Sequence, residues 1–154
     1  EAVVRQAEAK GLMIATAESC TGGLVSGALT AIAGSSAVLD RGFVTYSNEA
    51  KVEMLGVDSD LLASFGAVSE STARAMAEGA VARSRASIAV SVTGIAGPGG
   101  GSPQKPVGLV HFAAHGPNGR TVHLEKRFGD LGRDAIRLES VRTALGLLMD
   151  AVSE

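Results

Sequence analysis

Tryptophan is absent from this 154-residue sequence, cysteine occurs once, and aromatic residues make up only 3% of it. A single cysteine excludes an intrachain disulfide and gives no sign of an oxidising compartment, so we expect a cytoplasmic protein. The shortage of aromatic side chains argues against an aromatic-rich β-sandwich and against a surface on which nucleic-acid bases stack.

The sequence also lacks a strong charge imbalance and a long apolar run. Its formal net charge is -2 and it has no cluster of lysine or arginine, so we expect no nucleic-acid partner. No apolar stretch approaches the ~20 residues that a membrane span requires, and no signal peptide pattern is present, so we expect no membrane association. The first residue is Glu1 rather than methionine, which suits either a stand-alone protein or a piece of a longer one.

Apolar and small residues are plentiful. Hydrophobic residues make up 45% of the chain, charged residues 19%, and glycine occurs 20 times, which is the composition of a folded globule. This length suits one core, so we predict a single domain over residues 1–154. Helices rich in glycine and alanine can pack closely across a subunit interface, and we therefore expect a homo-oligomer.

Hydrophobic periodicity predicts alternating strands and helices. Short apolar runs predict strands at residues 12–17, 42–46, 86–92, 107–114 and 121–128. Spacings of three and four predict helices at residues 1–10, 22–33, 49–55, 58–65, 70–83 and 130–152. The last two strands form a hairpin, so part of the sheet is antiparallel. The predicted fold is an α/β, three-layer α/β/α sandwich with a mixed, partly antiparallel sheet.

The turn at residues 18–23, between the first strand and the next helix, is the first candidate site. Ligands of α/β sheets tend to bind beyond the carboxyl ends of strands, where helix N-termini expose unpaired N–H groups. Amides near Thr21, Gly22 and Gly23 can hold an anion or a developing oxyanion there. Spacing alone slightly favours an ordinary capped turn, because short turns with serine and glycine are common.

Ser19 lies in this turn and is the candidate nucleophile, but a serine hydroxyl needs a base. The histidines His111, His115 and His123 all fall in the predicted hairpin, and we interpret them as structural or solvent-facing. His111 and His115 can share a strand face, but no third ligand accompanies them, so we predict no metal site.

Lys51 is the better candidate base. A lysine partly desolvated near a helix N-terminus has its charged form disfavoured and can accept a proton, which Tyr46 can relay or orient. Spacing alone fits a solvated lysine and a strand-end tyrosine equally well. Cys20 is a rival nucleophile because nearby amides can lower a thiol pKa, but without a histidine partner it ranks below Ser19.

Two further segments can contact a substrate. Thr93 and Gly94 follow the predicted strand 86–92 and precede a glycine-rich loop, which can cover a pocket or simply connect two elements. Arg133 and Arg137 lie one turn apart on a predicted helix face and can grip a phosphate, although such pairs are more often solvated.

Six ordered blocks closely resemble the CinA C-terminal domain family and together span nearly the whole chain. The blocks are residues 16–23, 34–36, 42–51, 66–70, 93–98 and 105–108. Ordered blocks with similar spacing are far more specific than one glycine motif. Residues 129–133 depart from the family's shorter form, which leaves the register of the two arginines open. Many relatives carry this domain behind a larger N-terminal nucleotide-processing domain.

The resemblance implies a nicotinamide-nucleotide amidase that converts nicotinamide mononucleotide to nicotinic acid mononucleotide and ammonia, with Ser-Lys catalysis and no metal or cofactor. It assigns Ser19 as nucleophile, Lys51 as base and Tyr46 as helper. The residues that fall on family motifs around the pocket are Thr21, Gly22, Gly23, Thr93 and Gly94, with Arg133 and Arg137 matched less firmly.

Two alternatives stay open. One is a non-catalytic nucleotide-binding or interaction module that keeps the pocket without turnover. The other is a phosphate-ester hydrolase that uses the same anion-friendly turn, although the sequence lacks the clustered aspartates of a magnesium-dependent site.

Overall fold

The computed structural model describes residues 1–154, in which helices cover both faces of a five-stranded sheet. The strands are β1 (Ile14–Glu18), β2 (Leu39–Val44), β3 (Ile88–Gly94), β4 (Leu109–His115) and β5 (Thr121–Arg127). The helices are α1 (Ala2–Lys10), α2 (Leu24–Thr30), α3 (Asn48–Leu55), α4 (Ser59–Phe65), α5 (Glu70–Ala82) and α6 (Arg133–Ser153). A short 3-10 turn, Ser35–Ala37, precedes β2.

The strand order is β2-β1-β3-β4-β5. β1 pairs in parallel with β2 and β3, whereas β4 is antiparallel to both β3 and β5. The carboxyl ends of the three parallel strands therefore meet at one edge of the sheet, where α/β folds place their ligands. The predicted α/β/α sandwich with a mixed sheet is confirmed.

Alternation along β3 divides the core between the two faces of the sheet. Ile88, Val90 and Val92 join the larger apolar cluster, which contains residues of α1, α2 and α6. The opposite face carries smaller side chains such as Ala89, and Ser91 Oγ there donates to the carbonyl oxygen of Ala73 in α5 at 2.6 Å. Small residues on this face let α5 pack close to the sheet.

Several helix ends follow the predicted signals. α3 ends before Gly56, which adopts a left-handed φ of 67°, and the Ser47 hydroxyl caps its start by accepting from Ala50 N–H. Ser69 caps α5 in the same way through Thr72 N–H. These caps agree with the predicted starts of α3 and α5 to within one residue.

Other boundaries differ from the prediction. α2 begins at Leu24 rather than residue 22, because Gly22 and Gly23 adopt left-handed φ angles of 58° and 109° that a right-handed helix cannot continue. α6 likewise begins at Arg133 rather than residue 130, after Gly132 with φ 93°. β2 ends at Val44, so Tyr46 lies beyond the strand.

No helix combines the length and the apolar content needed to cross a membrane.

Candidate active site

Ser19 lies one residue past the end of β1. Its N–H donates to Val92 O of β3 at 2.9 Å, which extends the parallel pairing by one residue and fixes the start of the turn. Only 8% of Ser19 is exposed. The sheet edge therefore holds this residue largely buried.

Lys51 reaches Ser19 from α3 and is 1% exposed. Its Nζ lies 3.1 Å from Ser19 Oγ and donates to Thr45 O at 2.8 Å. Longer contacts join Nζ to the carbonyl oxygens of Tyr46 and Ser47, at 3.4 and 3.5 Å. No carboxylate pairs with this amine, so its partners are one hydroxyl and neutral carbonyls.

Burial lowers the pKa of Lys51 from its ordinary value of 10.5, and only a charged Cys20 thiolate would oppose the effect, in part. An ammonium in this place loses hydration without gaining a counter-ion, so the neutral amine is favoured relative to a lysine in water. A neutral amine within hydrogen-bond distance of a serine can take its proton.

Cys20 is less suited to nucleophilic attack than Ser19. Its side chain belongs to the larger apolar cluster, and burial raises the thiol pKa to about 11. The thiolate is the reactive form of cysteine, and at neutral pH this one is protonated. Ser19 is therefore the better nucleophile of the two, as its partner Lys51 also indicates.

A cavity of about 200 Å³, open to solvent, lies above the serine-lysine pair. Its wall brings together six of the predicted site residues: Ser19, Lys51, Tyr46, Thr93, Gly94 and Arg133. Cys20, Ala67, Val68 and Ala96 complete the lining. Apart from Lys51, the only charged side chain on this wall is Arg133, so the cavity suits an anionic ligand.

Tyr46 and Arg133 meet at the mouth of the cavity. Arg133 Nη2 donates to the Tyr46 hydroxyl at 3.2 Å, and its Nη1 donates to Gly97 O at 2.7 Å. The Tyr46 side chain is 64% exposed, and this residue contacts Lys51 through its carbonyl rather than through its phenol. The phenol thus lies at the mouth of the cavity, and the link to the amine is made by the backbone.

Thr93 and Gly94 shape the wall formed by β3. Thr93 Oγ1 donates to Ala67 O at 2.8 Å and so ties the end of β3 to the segment before α5. A Cβ on Gly94 would lie 2.9 Å from Leu109 O and 2.7 Å from Val110 Cγ2, so a side chain there would push β4 away. Glycine is needed for this close approach of strands.

Glu18 occupies the N-terminus of α2 and was not among the predicted site residues. Its buried carboxylate accepts from Val25 N–H at 2.8 Å, Ser26 N–H at 3.0 Å and the Thr21 hydroxyl at 2.6 Å. The helix amides that an anion would use are therefore already paired. The sequence contained one signal for this role of Glu18, because an acidic residue directly before a strand-to-helix turn can accept from the first N–H groups of the helix.

The amides near Thr21, Gly22 and Gly23, which were expected to hold an anion, are only partly paired within the protein. Gly22 N–H donates to Ser19 O at 3.1 Å and is not free. The N–H groups of Cys20, Thr21 and Gly23 donate to no acceptor in another residue. Thr21, Gly22 and Gly23 do not line the cavity, and the Thr21 side chain is fully buried against Glu18.

Arg137 lies behind the turn rather than on the cavity wall. Its Nε donates to Cys20 O at 3.2 Å and its Nη2 to Thr21 O at 3.4 Å. The two arginines that were predicted together thus contact different parts of the site.

None of the three histidines contacts the serine-lysine pair. His111 Nδ1 lies 2.9 Å from His123 Nε2, and His115 Nδ1 lies 2.8 Å from Thr121 Oγ1. Burial, with a smaller contribution from His123, lowers the pKa of His111. These partners agree with a structural role for the histidines.

The fold and the site define an α/β sandwich with a buried serine-lysine pair beneath a cavity at the carboxyl edge of its parallel strands. The chain belongs to the CinA C-terminal domain family, whose model matches residues 1–152.

Relatives of two lengths match this chain. A CinA-like protein of Anaeromyxobacter sp. strain K is 51% identical over 96% of the chain, which spans only 36% of that protein. The nicotinamide-nucleotide amidohydrolase PncC of Escherichia coli K12 is also 51% identical over 96% of the chain, which here covers 89% of the relative.

Solved structures of the family share the fold. The competence/damage inducible protein CihA from Agrobacterium tumefaciens superposes with a TM-score of 0.93 at 60% identity, covering 99% of this chain and 94% of that one.

Proposed function

We propose that this chain, acting as a single domain, is a nicotinamide-nucleotide amidase. It hydrolyses the carboxamide of nicotinamide mononucleotide to nicotinic acid mononucleotide and ammonia. The observation that carries the proposal is the 3.1 Å separation of Lys51 Nζ from Ser19 Oγ at the floor of the cavity. The names of relatives such as PncC of Escherichia coli K12 support this choice of substrate.

In the first half of the reaction, neutral Lys51 takes the Ser19 proton while Oγ attacks the carboxamide carbon. The carbonyl oxygen becomes an oxyanion, which backbone N–H groups next to Ser19 stabilise. The C–N bond then breaks, and the Lys51 ammonium gives its proton to the leaving nitrogen. Ammonia departs, leaving an ester between Ser19 and the nicotinoyl group.

In the second half, Lys51 removes a proton from water, and the resulting hydroxide attacks the ester carbon. The bond to Ser19 Oγ breaks, Lys51 returns the proton to Oγ, and the acid product leaves. Each half uses the amine once as base and once as acid, so the enzyme returns to its starting state.

The substrate phosphate requires a cation at the mouth of the cavity, and Arg133 supplies it. This guanidinium already lies among hydrogen-bond acceptors, Tyr46 Oη and Gly97 O, that a phosphate can replace or share. Tyr46 offers an exposed ring for contact with the ligand and keeps Lys51 in place through its carbonyl. The α2 N-terminus takes no part, since Glu18 fills it.

The decisive experiment measures ammonia release from nicotinamide mononucleotide by the wild type, Ser19→Ala and Lys51→Ala. We expect release by the wild type only, with ester-linked nicotinoyl enzyme detectable by mass spectrometry after rapid quenching. Activity that survives unchanged in Ser19→Ala would sink the assignment. Binding of the nucleotide without ammonia release would instead favour a non-catalytic nucleotide-binding module.

A further inference from the structure

The turn after Ser19 is held from two sides by buried or partly buried charged groups. On one side the Glu18 carboxylate accepts from the Thr21 hydroxyl and from two α2 amides. On the other side the Arg137 guanidinium donates to Cys20 O and Thr21 O. A turn that is clamped on both sides has fewer ways to rotate its peptide groups than an ordinary surface turn.

Because each peptide group is planar, a hydrogen bond that fixes its carbonyl oxygen also fixes the direction of its N–H group. In a trans peptide the C=O of one residue and the N–H of the next point in opposite directions. The Cys20-Thr21 peptide is trans, so its N–H, which belongs to Thr21, points away from the guanidinium that holds Cys20 O. Thr21 N–H has no acceptor in another residue, although its neighbour Gly22 N–H is bonded to Ser19 O.

The bond from Gly22 N–H to Ser19 O orients the preceding peptide by the same rule. Cys20 N–H lies opposite Ser19 O in that peptide and is likewise without an acceptor in another residue. The two residues that follow the nucleophile therefore carry N–H groups whose directions are fixed. Thr21 N–H has no acceptor, and Cys20 N–H contacts only its own sulfur. Fixed, unpaired donors next to a nucleophile are what a developing oxyanion requires.

We infer that Arg137 is a positioning residue: it holds the Cys20-Thr21 peptide so that Thr21 N–H, beside Cys20 N–H, receives the oxyanion formed at Ser19. This inference rests on the proposed amidase function and separates the two arginines of α6. Arg133 contacts the phosphate, and Arg137 acts through the turn without touching the substrate.

The test compares kcat and KM for ammonia release in Arg137→Met, Arg133→Met and Arg142→Met. We expect Arg137→Met to lower kcat by about 10- to 100-fold with KM little changed, below the full loss of an oxyanion-hole donor. Arg133→Met should mainly raise KM, because it removes substrate contact. Arg142 lies on the same helix and pairs at the surface with Glu139, so its variant should match the wild type.

Chemical rescue distinguishes positioning from general loss of structure. In Arg137→Ala, added guanidinium ion at concentrations that leave the circular dichroism unchanged should restore part of kcat, since Arg137 is only half-buried. Ser19 modification by a fluorophosphonate, in which Oγ displaces fluoride, supplies a readout without the natural substrate. The rate of this labelling of Ser19 should fall in Arg137→Met, as kcat does.

The outcomes separate the two proposals. An active wild type with Arg137→Met unchanged in kcat, or raised only in KM, overturns the positioning role and leaves the amidase assignment standing. A wild type that neither releases ammonia nor is labelled at Ser19 overturns the amidase assignment and the positioning role with it. Labelling at Ser19 that slows in Arg137→Met, without ammonia release, keeps the positioning role and rejects the substrate.

Discussion

At the scale of single residues, Lys51 meets two opposing demands. In the proposed mechanism its buried amine acts as a base next to Ser19, yet a buried cation without a counter-ion destabilises the fold. Hydrogen bonds to Thr45 O and to Ser19 Oγ offset part of that cost without supplying negative charge. We therefore expect the proposed base to lower the stability of the fold at this position.

Replacing Lys51 with methionine should separate stability from activity. Lys51→Met keeps a similar volume but removes the base, so ammonia release should fall by about 100-fold or more. The free energy of unfolding should stay the same or rise, because no charge is then buried. Urea unfolding followed by circular dichroism measures the second effect, and a large loss of stability would contradict this account of Lys51.

The pH dependence of stability gives an independent check on Lys51. Its folded-state pKa lies below the ordinary 10.5, so between these values the unfolded chain binds more protons than the folded one. Stability from this residue therefore rises with pH across that window, and kcat rises as the amine loses its proton. Lys51→Met should remove this part of the stability slope, which urea titrations at several alkaline pH values can measure.

Thr45 carries a buried hydroxyl with no hydrogen-bond partner. An unpaired buried hydroxyl costs free energy, whereas valine has the same shape without the polar atom. We expect Thr45→Val to leave the stability unchanged or raise it by about 1 kcal/mol. A matched variant, Thr93→Val, removes a hydroxyl that is bonded to Ala67 O and should lose stability. Equal losses of stability in the two variants would contradict the assignment of the Thr45 hydroxyl as unpaired.

At the scale of elements, α2 is capped by a side chain from β1 rather than by the residue that precedes the helix. Glu18 accepts from Val25 N–H and Ser26 N–H and so joins the end of the strand to the start of the helix. In Glu18→Gln the amide NH2 would face a backbone donor, and we expect a loss of about 2 kcal/mol together with lower kcat. Glu49→Gln, in the exposed first turn of α3, should change stability by only a few tenths of a kcal/mol.

Local signals in the sequence predict elements well and their junctions less well. Ser47 and Gly56 mark both ends of α3, because capping and left-handed conformations depend on neighbouring residues only. The local sequence at Gly22 and Gly23 fits either a helix or a turn. The structure places both glycines in the turn, because the buried Glu18 caps a helix that begins after them. Sequence periodicity also cannot give the strand order, and it is the pairing of β1 with β2 that brings Lys51 to Ser19.

The sequence likewise predicted some features of the candidate site and could not predict others. Family resemblance pointed to Ser19, Lys51 and Arg133, which lie together on the cavity wall. It could not distinguish Arg137 from Arg133, because the separation depends on where α6 crosses the turn rather than on spacing along the helix. The expected homo-oligomer and cytoplasmic location stay predictions.

At the scale of the whole molecule, the cavity is assembled from segments far apart in the chain. Ser19 follows β1, Lys51 lies in α3, Thr93 ends β3 and Arg133 begins α6. A ligand that contacts all of them binds only the folded state, and it therefore stabilises the whole domain by mass action. Ligand binding and folding of the domain are therefore thermodynamically linked.

Ligand binding should raise the melting temperature of an inactive variant. Ser19→Ala with nicotinamide mononucleotide at about 100 times its Kd should gain about 2.7 kcal/mol, or roughly 5–10 °C for a chain of this size. Since the chain has no tryptophan, calorimetry or circular dichroism suits the measurement better than intrinsic fluorescence. Adding Arg133→Met should shrink the shift because the phosphate loses its cation, whereas Arg142→Met should not. An equal shift in all three backgrounds would show that the phosphate is bound elsewhere.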